Sequence, residues 1–317
     1  MDFLKRGKCK MPQLQIRKTK AYTALMIIAA FAAALVAIQF LPVEKLESKP
    51  FFESERPMVI AHQGGELLAP SNTMAAFQGA VDMGVDALEF DIHITKDGHL
   101  VAIHDATVDR TTNGTGSVEE LTLEEIQVLD AGYDFKDLNG KKSYRGKGTS
   151  IPTVDEIFTA FSNMKMVIEI KDDIPANRIE EAAGNLWKLI KKYGKEEQVL
   201  VVAFDQEIVD VFAEISNRQT ALAGGRQEIK NFVIMHSLFL RNFYSPSVDA
   251  FQIPVREGKI DLTAKRYMNG AHRRGIDVHY WTIDDKETMA ELIRKGADGL
   301  ITNRPDVMIK LLEEMGY

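Results

Sequence analysis

The chain has 317 residues, 45% hydrophobic and 27% charged, an ordinary globular composition with room for one large barrel or two medium domains. Its net charge is −7, yet residues 1–20 carry seven basic side chains against Asp2, so that stretch is +6 and the remainder −13. An acidic main body repels a nucleic-acid backbone, which excludes polynucleotide binding, and the single cysteine, Cys9, excludes both an intramolecular disulfide and a cysteine-based zinc site.

In chain order, residues 1–20 read as a basic cytoplasmic tail; Cys9 within it is either unmodified or, near a membrane, open to palmitoylation. Residues 21–41 are apolar apart from Tyr22, Thr23 and Gln39, and as a helix would rise roughly 30 Å, enough to cross a bilayer. The basic flank before this transmembrane segment predicts a cytoplasmic N-terminus and an extracytoplasmic remainder. A cleaved signal peptide is the rival reading and would make the protein secreted. Against it, signal cores usually run to about 7–15 residues, and the small residues Ala32, Ala33 and Ala34 lie inside the apolar run. Residues 42–57, with Pro50 and Pro57, read as a short polar stalk.

From Met58 to the C-terminus, short apolar runs alternate with amphipathic stretches. Strands are expected at 58–62, 86–92, 166–171, 199–204, 220–223, 250–253, 276–282 and 299–302. Helices are expected at 73–83, 154–161, 176–193, 206–215, 262–274 and 286–295, and 232–244 reads as a further buried helix or an apolar aid to lipid approach. Eight strands in this alternation predict an α/β fold, a (β/α)8 TIM barrel. A ninth run, 99–103, follows Lys96, Asp97 and Gly98 and reads as the return arm of a β-hairpin. With a two-residue turn, Asp91 faces His104; a three-residue bulged loop shifts the pairing by one. Residues 105–149 are too long for a simple loop and read as a small insertion with a helix near 122–129.

Ionisable residues recur at strand ends. His62 closes the first strand and is followed by Gln63, Gly64 and Gly65. Glu89 and Asp91 share a face of the second strand, as Glu169 and Lys171 do of the next, and Trp281 lies in the aromatic close of the 276–282 run. Barrel active sites are built at such ends. Clustered carboxylates repel unless a cation is present, and oxygen-rich clusters suit a hard divalent ion, Ca²⁺ or Mg²⁺. His93, His99 and His272 read as surface residues, His279 as either pocket or core, and His236 has no assigned role.

The segments Ala61-His62-Gln63-Gly64-Gly65, Pro70-Ser71-Asn72-Thr73, Leu88-Glu89-Phe90-Asp91, Lys96-Asp97-Gly98, His104-Asp105, Arg110-Thr111-Thr112, Ile168-Glu169-Ile170-Lys171, Tyr280-Trp281-Thr282 and Gly299-Leu300-Ile301-Thr302-Asn303 together resemble the glycerophosphodiester phosphodiesterase family. The resemblance runs from Met58 to the C-terminus. It implies a (β/α)8 barrel and hydrolysis of glycerophosphodiesters to glycerol 3-phosphate and an alcohol. It also implies one divalent metal ion on Glu89, Asp91 and Glu169, and His62 and His104 as the general acid–base pair. Lys171 would bind phosphate and Trp281 would line the glycerol pocket. The chain departs from the family pattern at Gln63, where the family has arginine, and at Ser71, where it has glutamate. Gln63 would therefore contact substrate without a charge. Two alternatives remain: a lysophospholipase D-like enzyme on the same fold, acting on a lipid-derived phosphodiester, and a non-catalytic glycerophosphodiester-binding module. Beyond the membrane segment and a small-molecule or lipid-derived substrate, nothing in the sequence calls for an obligate protein partner.

Overall fold

The computed structural model describes residues 13–38, 40 and 42–317. Cys9 and most of the basic tail lie outside the described residues. Helix α1 (Gln13–Ile38) contains one stretch, Lys20–Ile38, long and apolar enough to cross a membrane.

The architecture is the expected barrel. Strands β1 (Met58–Ala61), β2 (Ala87–Ile94), β4 (Lys165–Ile170), β5 (Val199–Val202), β6 (Ala221–Leu222), β7 (Ala250–Ile253), β10 (Asp277–Tyr280) and β11 (Gly299–Thr302) pair in parallel in the order β6-β5-β4-β2-β1-β11-β10-β7. A parallel bridge from Ala223 to Ala250 links the two ends of that ring. Strand β3 (Leu100–Ala102) hangs off β2 as the antiparallel arm of the hairpin, and β8 (Arg256–Glu257) with β9 (Ile260–Asp261) forms a small separate ribbon. Helices α2 (Met74–Met83), α4 (Val154–Ala160), α5 (Ile179–Tyr193), α6 (Gln206–Ile215), α7 (Arg226–Ser237), α8 (Lys265–His272), α9 (Lys286–Lys295) and α10 (Pro305–Met315) surround the strands, and α3 (Leu123–Gln127) lies in the insertion. The starts of α3 and α4 are set by reciprocal capping boxes, Thr122 with Glu125 and Thr153 with Glu156.

Strand alternation divides the core in two. On β2, Leu88, Phe90, Ile92 and Ile94 point outward and pack under the helices, whereas Ala87 points inward. The inner floor is built from Met58, Ile60, Ala87, Val167, Leu200, Ala221, Ala223, Ala250 and Ile301, and is closed by Phe51. Four alanines leave room there for a phenyl ring. The segment expected to be a polar stalk is therefore not free of the barrel. Residues Pro50–Phe52 form a 3-10 turn, and Phe51 is fully buried in the floor.

The hairpin departs from the two-residue expectation. Ile92 pairs with Ala102, and Ile94 with Leu100, so Asp91 faces Ile103 rather than His104, and the Ile103 amide donates to the Asp91 carbonyl at 3.0 Å. The Gly98 amide bonds to the Thr95 carbonyl and Gly98 has φ +85°, which makes the loop the three-residue bulged kind. The 232–244 stretch is not one buried helix either. Helix α7 ends at Ser237, and Leu238, Phe239 and Phe243 beyond it are exposed. Helix α8 begins at Lys265 rather than 262 because the preceding residues form the β8–β9 ribbon.

Candidate active site

Several barrel strands, β1, β2, β4 and β11 among them, end in or run into polar side chains, and these ends lie at one mouth. Glu89 and Asp91 are inward-facing on β2 and buried, and Glu169 lies beside Asp91 across the β2–β4 ladder. The three offer carboxylate oxygens that all lie within 4.8 Å of one another. Lys171 reaches in just past β4, with Nζ 2.9 Å from Glu169 Oε1 and 3.4 Å from Asp91 Oδ1.

One ammonium does not balance three carboxylates, two of them buried and Glu169 half-buried. Burial, and then the charge of Asp91, push the Glu89 carboxyl well above its usual range. The same two causes push Glu169 up to about 7. Burial works against the Lys171 ammonium, but Asp91 and Glu169 outweigh it and hold its pKa above the ordinary value. A cluster of this kind binds either protons or a further cation. All-oxygen donors at this spacing fit a hard divalent ion.

His62 follows β1 directly. Its Nδ1 is 2.6 Å from Asn303 Oδ1. Asn303 is held in turn by Asp284, which accepts from the Asn303 side-chain amide at 3.0 Å and from its backbone amide at 2.8 Å. A carboxylate only accepts, so Asn303 must turn its NH2 to Asp284 and its oxygen to His62. That places the proton on His62 Nδ1 and leaves Nε2 with a lone pair. His104, just past the hairpin, repeats the device: Nδ1 is 2.8 Å from Asp105 Oδ1, and Arg110 clamps that carboxylate through Nε and Nη2. Burial pushes the Asp105 carboxyl up, but the Arg110 and His104 hydrogen bonds outweigh it and hold it below the usual range.

Gln63 adopts φ +51° and is buried. Its backbone amide donates to Glu89 Oε2 at 2.7 Å, so this residue orients the cluster through its main chain. Its side-chain oxygen is buried without a hydrogen-bond partner among the described residues. Trp281 stands edge-on to Phe204, centroids 5.6 Å apart, and Arg226 stacks over Phe204 at 4.6 Å.

The structure thus brings Glu89, Asp91, Glu169 and Lys171 into direct contact and sets His62, Gln63, His104 and Trp281 at ends of strands at the same mouth. Sequence reasoning missed Asn303, Asp284, Arg110 and Asn72, whose side-chain amide donates to Asp91 Oδ2 at 3.0 Å. Asn72, Arg110 and Asn303 stand in segments that carry the family resemblance but nothing in their spacing gave them a role, and Asp284 lies in the loop after β10. His93, expected at the surface, is buried between the Ile103 carbonyl and Asp173. His272, expected to be solvated, pairs with Asp298 at 2.7 Å. His279 lies in the floor, fully buried, with burial pushing its pKa down to about 4.

Fold and site together define a (β/α)8-barrel enzyme architecture, with ionisable groups gathered at the carboxyl ends of the strands. Residues 62–307 match the glycerophosphoryl diester phosphodiesterase family, and the chain belongs to it. It is 37% identical over 268 residues to a glycerophosphodiester phosphodiesterase of Caldanaerobacter subterraneus subsp. tengcongensis, covering 82% of this chain and 100% of that one. Two solved structures share the fold. One is the glycerophosphoryl diester phosphodiesterase domain of a Mycobacterium tuberculosis protein, with TM-score 0.71, 18% identity and coverage of 82% and 100%. The other is an Oleispira antarctica phosphodiesterase in complex with the product sn-glycerol-3-phosphate, with TM-score 0.66, 21% identity and coverage of 81% and 97%.

Proposed function

We propose that the chain hydrolyses glycerophosphodiesters to glycerol 3-phosphate and an alcohol, with Glu89, Asp91 and Glu169 holding one divalent cation, Ca²⁺ or Mg²⁺. The observation that carries this reading is the largely buried carboxylate triad with Lys171 beside it and an anchored histidine at the neighbouring strand end. When bound, such an ion would neutralise phosphoryl oxygens and favour the more negative transition state.

The chain's own residues supply the rest. Lys171 places a fixed positive charge where a phosphate would enter. His62 and His104 each engage Nδ1 with an anchor, Asn303 or Asp105, so Nε2 is the atom available for proton transfer. One histidine takes the proton from the attacking oxygen as the new P–O bond forms. The other returns a proton to the leaving alkoxide as the old P–O bond breaks. Gln63 and Trp281 would contact the glycerol end of the substrate.

The test is a metal-by-substrate panel on the full chain with glycerophosphocholine, alongside H62A, H104A and E169Q. Activity should vanish in chelator and return with a divalent ion. Each histidine variant should lose about a hundredfold or more in kcat, and E169Q should bind the ion more weakly by calorimetry. Full activity in chelator, or in either histidine variant, would refute the assignment.

A further inference from the structure

We propose that the floor of the barrel rests on the lipid bilayer, so that the catalytic mouth faces away and takes water-soluble glycerophosphodiesters rather than lipids of its own membrane. The substrate class rests on the phosphodiesterase reading above; the orientation does not.

The chain leaving the apolar helix is strapped along the barrel floor. The Ile38 carbonyl, at the end of α1, accepts from Asn242 Nδ2 at 2.5 Å. The Leu46 amide donates to the Arg274 carbonyl at 2.8 Å. Lys49 pairs with Asp249 at 3.0 Å and donates to the Thr220 and Arg218 carbonyls at 2.6 and 3.0 Å. Phe51 then enters the floor itself. Arg218, Thr220, Asn242, Asp249 and Arg274 all lie between the end of a helix and the start of the next strand. In a (β/α)8 barrel that is the side opposite the active site. With attachments at residues 38, 46, 49 and 51, the connection is a short tether with little freedom to invert the barrel.

The same side carries the apolar patch. Leu238 is 60% exposed and Phe243 is 59% exposed, and Phe239 lies between them on the surface. Arg241 lies between Phe239 and Phe243 in the chain, and its carbonyl accepts from Arg274 at 2.9 Å, which brings the exposed Arg273 next to it. Apolar side chains bordered by arginine suit the boundary between acyl chains and headgroups. The patch adjoins Asn242, which holds the end of the apolar helix, so its occupant is the bilayer that helix enters.

Helix α7 measures the separation. Arg226, in its first turn, stacks on Phe204 beside Trp281 at the mouth, and Leu238 follows its last residue at the floor. Twelve residues at 1.5 Å each put the two about 18 Å apart. A lysophospholipid in the supporting bilayer would have to bare its acyl chain to water to bring its phosphodiester that far. A deacylated diester meets no such barrier.

The experiment uses the full chain in a Cys9→Ser background, reconstituted into phosphatidylcholine–phosphatidylglycerol vesicles. A single cysteine is placed at the floor (Leu238→Cys) or at exposed Thr115, in the connection from β2 to α4 on the mouth side (Thr115→Cys), labelled with bimane, and quenched with chain-brominated phosphatidylcholine. Quenching should be several-fold stronger at 238 than at 115; equal, absent or reversed quenching would overturn the orientation. In parallel, unlabelled protein is given glycerophosphocholine in solution or lysophosphatidylcholine in its own bilayer. The soluble diester should be cleaved at least tenfold faster, and comparable rates would overturn the substrate class. Cleavage of neither would overturn the phosphodiesterase reading and its substrate class, while quenching alone decides the orientation.

Discussion

Asn303 and Asp284 offer a sharp test of the proton-transfer reading, because neither touches the carboxylate cluster in the hydrogen-bond pattern described. The His62–Asn303 contact at 2.6 Å is a neutral hydrogen bond until His62 accepts a proton; it then becomes a bond to an imidazolium. Bonds to charged groups contribute about 1.5–3 kcal/mol, against about 1 for neutral pairs. Removing the acceptor with Asn303→Ala should therefore remove the excess of the charged bond over the neutral one, about 0.5–2 kcal/mol that acts only in the transition state. That is roughly a two- to thirtyfold loss in kcat. KM for glycerophosphocholine and the affinity for the divalent ion should stay within about twofold, since an interaction formed only in the transition state leaves ground-state binding alone. Asp284→Asn keeps the shape but adds donors, so Asn303 is no longer forced to turn its oxygen to His62, and a loss of about tenfold is expected. Steady-state kinetics with calorimetric metal titration decides it. If Asn303→Ala keeps kcat within twofold, or loses only KM, the orienting role is wrong.

Two stability predictions follow from residues remote from the mouth. Phe51→Ala empties a fully buried ring from the barrel floor, where it packs edge-on to Phe52 at 5.2 Å; it should cost about 3–5 kcal/mol and lower Tm by roughly 6–20 °C. A Tm loss below 2 °C by calorimetry would show that the segment does not belong to the folded domain. Asp277, the first residue of β10, has its carboxyl pushed up to about 7 by burial and by Asp298. A raised acid favours the folded state only while protonated, so its penalty is absent below pH about 4, grows above that, and is complete above pH about 7. Asp277→Asn should match the wild-type stability near pH 4 and exceed it at pH 8 by on the order of 2 kcal/mol, with a correspondingly higher Tm there; equal Tm values at pH 8 would refute the burial argument.

The barrel was legible in the sequence because its strands are short apolar runs whose lengths and spacing repeat. The runs 250–253 and 299–302 agree with β7 and β11 to the residue. The hairpin register was less so, because Asp97-Gly98 serves either turn, and only the hydrogen bond from Gly98 back to Thr95 selects the bulged form. Phe51 and Phe52 looked incidental between two prolines, since the alanine-lined cavity Phe51 enters is assembled from seven separate strands. The acidic cluster was visible because Glu89, Asp91 and Glu169 stand in otherwise apolar strands. The anchors were not. Asn303 acquires its role only from Asp284 and His62, which reach it from the loops after two other strands, and no local pattern encodes that meeting.

Gln63 bears on how much the departure from the family pattern matters. Its main chain does a job that no side chain alters: the amide at φ +51° supports Glu89 Oε2. Replacing the family's arginine there leaves that support in place and changes only what the side chain offers. Arginine offers a charged fork for phosphate oxygens. Gln63 offers a buried carbonyl oxygen that is unpaired among the described residues, and an unpaired buried acceptor is stabilised by a donor such as a hydroxyl. Lys171 is already held between Asp91 and Glu169 and supplies positive charge from the other side. On the proposed reading, the substitution would move one contact from phosphate charge toward recognition of a substrate hydroxyl, and it leaves the carboxylates, the lysine and the Nδ1 anchors of both histidines where they stand.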